Sequence, residues 1–173
     1  MQTYNVGFTN ETLISSRPKE QDQQARDWLD KYFFPQFPTI LKYEFTPGQY
    51  DFADVYITGR TSDTRYYAEV KTRHIFSTTY TAGTAIEEDK IKRIEEEGKD
   101  RTYLIILFRD GVAYLPPTKF YTAQLGKTVI PHCPDEYQPG KWRKVDKPAV
   151  LFDTSQFTFY NYRYFGTQKP DFV

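Results

Sequence analysis

Asp54, Glu69 and Lys71 are the residues of this 173-residue chain whose types and spacing suit a reaction centre. Asp54 lies in Tyr50-Asp51-Phe52-Ala53-Asp54-Val55-Tyr56-Ile57, and Glu69 and Lys71 close the stretch Tyr66-Tyr67-Ala68-Glu69-Val70-Lys71. Both stretches alternate, the mark of strands with two unlike faces. Ala53, Val55 and Ile57 share one face of the first, and Ala68 and Val70 share one face of the second. For these apolar faces to coincide, odd positions of the first must pair with even positions of the second. That parity gathers Asp54, Tyr56, Tyr67, Glu69 and Lys71 on the other face. A hairpin centred on Thr61-Ser62 has this parity and sets Asp54 opposite Glu69, with Cβ atoms about 4.5–5.5 Å apart. Lys71 projects to the same side about 6.6 Å further along. Two carboxylates this close repel unless positive charge stands between them, and a hard divalent cation with oxygen ligands and water meets that need. Two acids and a lysine on one sheet face suit metal-assisted phosphodiester hydrolysis. The plain alternative is a cross-strand ion pair in which Lys71 neutralises two surface carboxylates, worth about 0–1 kcal/mol.

An Asp at the start of one strand, then Glu-x-Lys on the next, resembles the PD-(D/E)XK nuclease superfamily, with Asp54 and Glu69-Val70-Lys71 at the matching positions. The resemblance implies a restriction-endonuclease-like α-β-β-β-α-β core, an α/β fold on a mixed sheet. It implies Mg²⁺, with Mn²⁺ as a substitute, held by Asp54, Glu69 and the backbone carbonyl of Val70. Lys71 would orient or help deprotonate the attacking water and stabilise the transition state. The implied substrate is DNA, including branched intermediates of recombination and repair, and less often RNA. Many proteins with this resemblance pair as dimers, since cutting two strands takes two sites; no heptad or dedicated dimer helix is visible here. The proline that names the motif is missing before Asp54 and before Asp51. Asp51 would replace Asp54 if a bulge interrupted the strand near Phe52, but Asp54-Val55-Tyr56-Ile57 better fits an acid followed by an apolar strand.

The elements around the motif fall in a compatible order. Ala25, Trp28, Leu29 and Tyr32 predict an inward-packed helix over about Lys19–Phe33, stopped by Pro35 and Pro38. Within it Asp22 lies nearer the apolar face than Glu20, so it is the candidate extra acid for the site; the alternative is a solvated first-turn acid favoured by the helix dipole. Thr39–Phe45 reads as a strand, and Thr72 to Gly83 as a loop over the sheet end that carries the key side chains. Thr84-Ala85-Ile86-Glu87 reads as a capping box opening a helix that ends at Gly98. Lys90 falls inside the arc of Ile86, Ile91 and Ile94, so it either snorkels to water or reaches the acid cluster or a substrate phosphate. Thr102–Phe108 is a continuous apolar run suited to a strand covered on both faces, and Asp110-Gly111 signals a tight turn into Val112–Leu115.

The predicted organisation is one domain over 1–173, a nuclease-like core at about 17–115 and an aromatic-rich extension at about 116–173. Prolines break the extension into short pieces, with a strand at Ala149–Phe152. Lys141-Trp142-Arg143-Lys144 is a basic cluster around an aromatic, readable as a phosphate contact or a solvated turn; with Arg73 and Lys90 its cations Lys141, Arg143 and Lys144 are the candidate nucleic-acid contacts. Phe157–Phe165 is dense in aromatics with one arginine; it reads as a strand packed on the core, the alternative being a surface that stacks bases and holds phosphates.

Composition narrows the classes. Lys plus Arg and Asp plus Glu are 23 each, so the chain carries no formal net charge, which argues against tight, indiscriminate DNA binding. Two histidines and one cysteine exclude a His-rich metal site and an internal disulfide. No glycine-rich phosphate loop appears, which argues against a nucleotide-driven motor. Absence of a signal sequence or membrane span points to cytoplasm, in a bacterial or phage-infected cell. Zero net charge also suits a different reading, in which a nuclease-like fold only binds nucleic acid or protein as an accessory subunit.

Overall fold

The chain's first helix ends where its prolines require. The computed structural model describes residues 18–46, 53–61, 64–79, 83–98, 100–134, 144–171 and 173. Asp51, Lys141 and Arg143 lie outside these residues, as does the side chain of Lys144. Helix α1 (Pro18–Trp28) passes into a π turn at Leu29–Phe33 and a 3₁₀ turn at Phe34–Gln36. The single helix expected to Phe33 is thus α only to Trp28. Pro35 cannot donate to a continuing ladder, and Phe34 N–H reaches back to the Leu29 carbonyl instead. The wider turn sends Leu29, Phe33 and Phe34 all into the core, at 0, 3 and 2 % exposure.

Strands β1 (Ile40–Phe45), β2 (Val55–Gly59) and β3 (Arg65–Thr72) follow, each antiparallel to the next. The β2–β3 register pairs Val55 with Ala68, Tyr56 with Tyr67 and Ile57 with Tyr66. This is the parity demanded by the apolar alternation; the ladder stops at Val55–Ala68, and Asp54 beyond it bonds to the Ala68 carbonyl and the Val70 N–H. Ala53, Val55 and Ala68 are fully buried on one face, while Tyr56 and Tyr67 meet edge to face at 5.7 Å on the other.

The capping-box expectation fails. Residues Thr84–Glu87 form strand β4, and helix α2 spans Glu88–Glu97, with Glu87 as an N-cap that makes no side-chain cap hydrogen bond. The local pattern is the same in both readings; what decides is a partner strand some sixty residues away. Next come β5 (Thr102–Leu107), β6 (Gly111–Leu115), β7 (Gln124–Pro134), β8 (Lys144–Phe152) and β9 (Thr158–Asn161). β4 pairs with β8 antiparallel, and Thr84, Ala85 and Ile86 are all buried there.

The fold is mixed α/β. One six-stranded mixed sheet has the order β1-β2-β3-β5-β6-β9, and a second, three-stranded sheet has the order β4-β8-β7. β3 and β5 pair in parallel at the middle of the large sheet, joined through β4 and α2. The expected α-β-β-β-α-β order therefore carries one additional strand, β4, which leaves the main sheet. β5 is covered on both faces as expected: Ile105 and Leu107 pack toward α1, Leu104 and Ile106 toward α2. The β5–β6 turn is Arg109–Asp110, one residue earlier than the Asp110-Gly111 signal, closed by Phe108 N–H donating to the Gly111 carbonyl at 2.8 Å. Gly111 serves a different end: a Cβ there would lie 2.2 Å from the Tyr160 carbonyl oxygen of β9.

In the extension β8 includes the expected Ala149–Phe152. The aromatic segment 157–165 is partly an edge strand and partly a 3₁₀ turn (Tyr162–Phe165), whose Tyr162 and Phe165 are buried against Trp28. β7 was not expected. Its prolines fall on the edge strand of the small sheet, where a missing N–H costs no ladder bond, and its register shifts between Ile130 and Cys133.

Candidate functional site

Glu69 is the organising residue. It stands on β3, the strand paired on both sides at the centre of the large sheet, and its parity turns it to the face covered by α2. Its side chain is 2 % exposed. Lys71, two residues along the same face, places Nζ 3.1 Å from Glu69 Oε1. Lys90 reaches in from the first turn of α2 and places Nζ 2.8 Å from Glu69 Oε2. Of the two readings open for Lys90, the one that turns it toward the acid cluster is therefore observed, and its side chain is 18 % exposed. Lys71 Nζ also lies 3.4 Å from Oε2 of Glu87, the last residue of β4. Two carboxylates and two ammonium groups from three elements thus share one partly covered cluster.

Asp54 sits just before β2. Its Oδ2 accepts from the Val70 N–H at 2.7 Å, while its own N–H donates to the Ala68 carbonyl at 2.9 Å. β3 outruns β2 here, and the Asp54 carboxylate satisfies a donor that a longer β2 would have paired with a carbonyl. Thr46 secures the same end: its N–H donates to the Asp54 carbonyl and its hydroxyl to the Ala53 carbonyl. Arg26 of α1 in turn donates to the Thr46 carbonyl at 2.6 Å. One turn earlier on α1, Asp22 has its pKa raised, first by burial and then by the negative charge of Asp54, against the pull of Lys71. Asp22, the candidate extra acid, is thus within reach of the charges of the cluster.

Burial pushes the Glu69 carboxyl up, to about 7, and Asp54 adds to the push while Lys71 and Lys90 oppose it. Burial works against the Lys71 ammonium, but Glu69 and Glu87 outweigh it and hold its pKa above the ordinary lysine range. Glu87 is drawn down to about 2 because Lys71 overcomes the cost of burying it. A carboxylate whose folded pKa is depressed contributes stability above its unfolded value and loses it as pH falls. Replacing Glu87 with Gln should therefore lower stability by about 1 kcal/mol at neutral pH. The gap to the parent protein, read from urea midpoints, should close between the ordinary glutamate value of 4.5 and about 2.

Arg73, a candidate nucleic-acid contact, is also tied into the fold. Its guanidinium donates to the carbonyls of Ala85 at 3.1 Å and Thr72 at 3.2 Å, tying the end of β3 to β4. Next to it His74 is half-buried; burial first, then the cations Arg109, Lys169 and Arg73, hold its pKa below the usual value. A group of cations thus gathers just past the end of β3, and Arg109 and Lys169 were not anticipated. The loop that carries Arg73 and His74 is pinned to the β5–β6 turn by Ser77, whose N–H and hydroxyl donate to the Asp110 carboxylate at 2.8 and 2.6 Å. Glu87 was missed because its place in an apparent capping box explained it away. β-branched Thr84 and Ile86 directly after Gly83 are the strand signal that would have found it.

Among the described residues, no three His, Cys, Asp or Glu side chains come close enough together to hold a metal ion. The donors that Asp54, Glu69 and the Val70 carbonyl offer are hard oxygens, the kind that Mg²⁺ takes with several waters retained. The chemistry of the set fits such an ion, with water supplying the remaining positions. An aromatic cleft of about 250 Å³, lined by Phe33, Phe37, Tyr66, Tyr103 and Tyr114 among others, shares no residue with the cluster. Compared with protein-family models, curated proteins and solved structures, the chain matches none. Among the described residues no helix is long and apolar enough to cross a membrane.

Proposed function

We propose that the chain is a metal-dependent phosphodiesterase acting on nucleic acid, DNA before RNA, with Asp54, Glu69 and Lys71 at its centre. The observation that carries this reading is the nearly buried Glu69 carboxylate on the central strand, held between lysines from two elements. A buried ion pair is poor stabilisation: apolar side chains of the same volume are often as good or better. Such an arrangement, with a raised carboxyl pKa, is the mark of a group kept for chemistry.

Asp54, Glu69 and the Val70 carbonyl would hold Mg²⁺ or Mn²⁺. When bound, such an ion polarises the scissile phosphate and makes a coordinated water more acidic. Without an ion, Glu69 and Glu87 both favour the Lys71 ammonium. Lys71 would orient the attacking water and set positive charge against the phosphate oxygens. Arg73, Arg109 and Lys169, around His74, extend positive charge beyond the end of β3 where a backbone would leave the site.

The test is incubation of purified protein with duplex, single-stranded and branched DNA, and with RNA, in Mg²⁺, Mn²⁺ or EDTA. Cleavage that depends on the metal and is abolished by EDTA supports the proposal; no cleavage of any substrate under either metal removes it. A binding-only accessory role is the second reading. It is favoured by the zero formal net charge and the aromatic-rich C-terminal third, and it predicts DNA retention in gel shifts with no product.

A further inference from the structure

We infer that Lys90 is a displaceable counter-ion, holding the place at Glu69 that a divalent cation takes. The inference rests on the metal-dependent reading above and goes further by naming the residue that sets the affinity for the ion. Glu69 presents its two oxygens to two different lysines, Oε1 to Lys71 at 3.1 Å and Oε2 to Lys90 at 2.8 Å. The carboxylate is 2 % exposed, so a cation from solvent reaches it only when a group lying over it moves. The two lysines are unequal in this respect. Lys71 is anchored on the central strand and holds a second carboxylate, Glu87, at 3.4 Å, so it keeps a counter-charge if Glu69 is lost to it. Lys90 reaches Glu69 from the first turn of a helix, on a flexible four-carbon stem. Exposure does not separate the two, at 18 % for Lys90 and 24 % for Lys71; what separates them is that Lys71 stands on the central strand between two carboxylates.

An ammonium and a divalent ion compete for one carboxylate oxygen, and both are repelled by the other's presence. Loading the ion therefore carries the free-energy cost of breaking the Lys90–Glu69 pair. Removing that ammonium should tighten Mn²⁺ binding; removing an equal charge elsewhere on the same helix should not. Lys92 provides the control: it is 59 % exposed, with Glu88 and Asp89 at 3.9 and 4.0 Å.

The experiment is titration of the intact chain with Mn²⁺ at pH 8, followed by calorimetry and by the Mn²⁺ electron-spin signal. The forms compared are the parent protein, Lys90→Met, Lys90→Arg and Lys92→Met. The expected result is a Kd about tenfold lower for Lys90→Met, equivalent to 1.4 kcal/mol, with Lys90→Arg and Lys92→Met close to the parent. Mn²⁺ binding by the parent with no tightening in Lys90→Met overturns the inference and leaves the metal reading standing. Tightening of equal size in Lys92→Met also overturns it, since the effect would then be one of net charge. Absence of Mn²⁺ binding in both the parent and a folded Lys90→Met sinks the metal reading and this inference with it. Circular dichroism on each variant establishes that it is folded before titration.

Discussion

Replacing Glu69 with Gln should abolish metal-dependent cleavage while leaving the protein folded. The expected fall in kcat/KM is about a thousand-fold, the scale lost when one preorganised charge is removed from a transition-state site. The amide keeps the side chain's volume, so no cavity opens on the central strand. Stability is held by two opposing changes. The variant no longer buries a carboxylate at 2 % exposure, and it no longer neutralises the ammonium groups of Lys71 and Lys90. Lys71 retains Glu87, and Lys90 has a route to solvent. The net shift should stay within about 1 kcal/mol, or roughly 2–4 °C in melting temperature for a chain of this length. Single-turnover cleavage beside a thermal melt checks both halves. Unchanged cleavage removes Glu69 from the chemistry; a collapse of the melt shows a structural residue.

Replacing Lys71 with Met should have the opposite balance, a large loss of stability together with a loss of activity. Lys71 touches both carboxylates, Glu69 and Glu87. Breaking a buried pair by removing one partner costs about 3–5 kcal/mol. Lys90 still neutralises Glu69, which places the expected cost near the lower end, at about 3 kcal/mol. The pH dependence follows from the two carboxylates. Glu69 already has its pKa raised to about 7 by burial, and without Lys71 it rises further. A carboxyl raised on folding binds more protons in the folded state, so stability falls as pH climbs from its unfolded value through its folded one. Glu87, drawn down to about 2 against burial by Lys71, loses that stabilisation in the variant. Both effects act in the same direction: the deficit against the parent protein is greatest above about pH 7 and narrows as the solution is acidified toward about pH 2. Urea midpoints measured from pH 3 to 8 test this, and a deficit independent of pH would mean that the lysine acts through packing alone.

The parts of this site that alternation controls were legible in the sequence. Ala53, Val55 and Ile57 against Ala68 and Val70 admit one register parity, which the β2–β3 ladder has, and Glu69 and Lys71 meet on one face of β3 as it requires. The run Thr102–Leu107 read correctly as a strand buried on both sides because it has no polar face to turn outward. What could not be read was anything decided by a distant partner. Thr84-Ala85-Ile86-Glu87 is locally a capping box, and only β8 makes it a strand. With that error went Glu87, whose contact with Lys71 depends on β4 ending beside β3. The burial of Glu69 was hidden for the same reason, since a half-exposed face was expected and α2 covers it. β7 escaped notice because Pro131 and Pro134 argue against a strand unless its edge position is known.

If Asp54 and Glu69 together receive a divalent cation, a crystal soaked in Mn²⁺ should show it. An anomalous peak is expected about 2.0–2.6 Å from carboxylate oxygens of both residues, with Lys90 Nζ turned away from Glu69 Oε2. The result that would contradict it is no peak at any soaking concentration, with Lys90 still seated on Glu69 at its 2.8 Å separation.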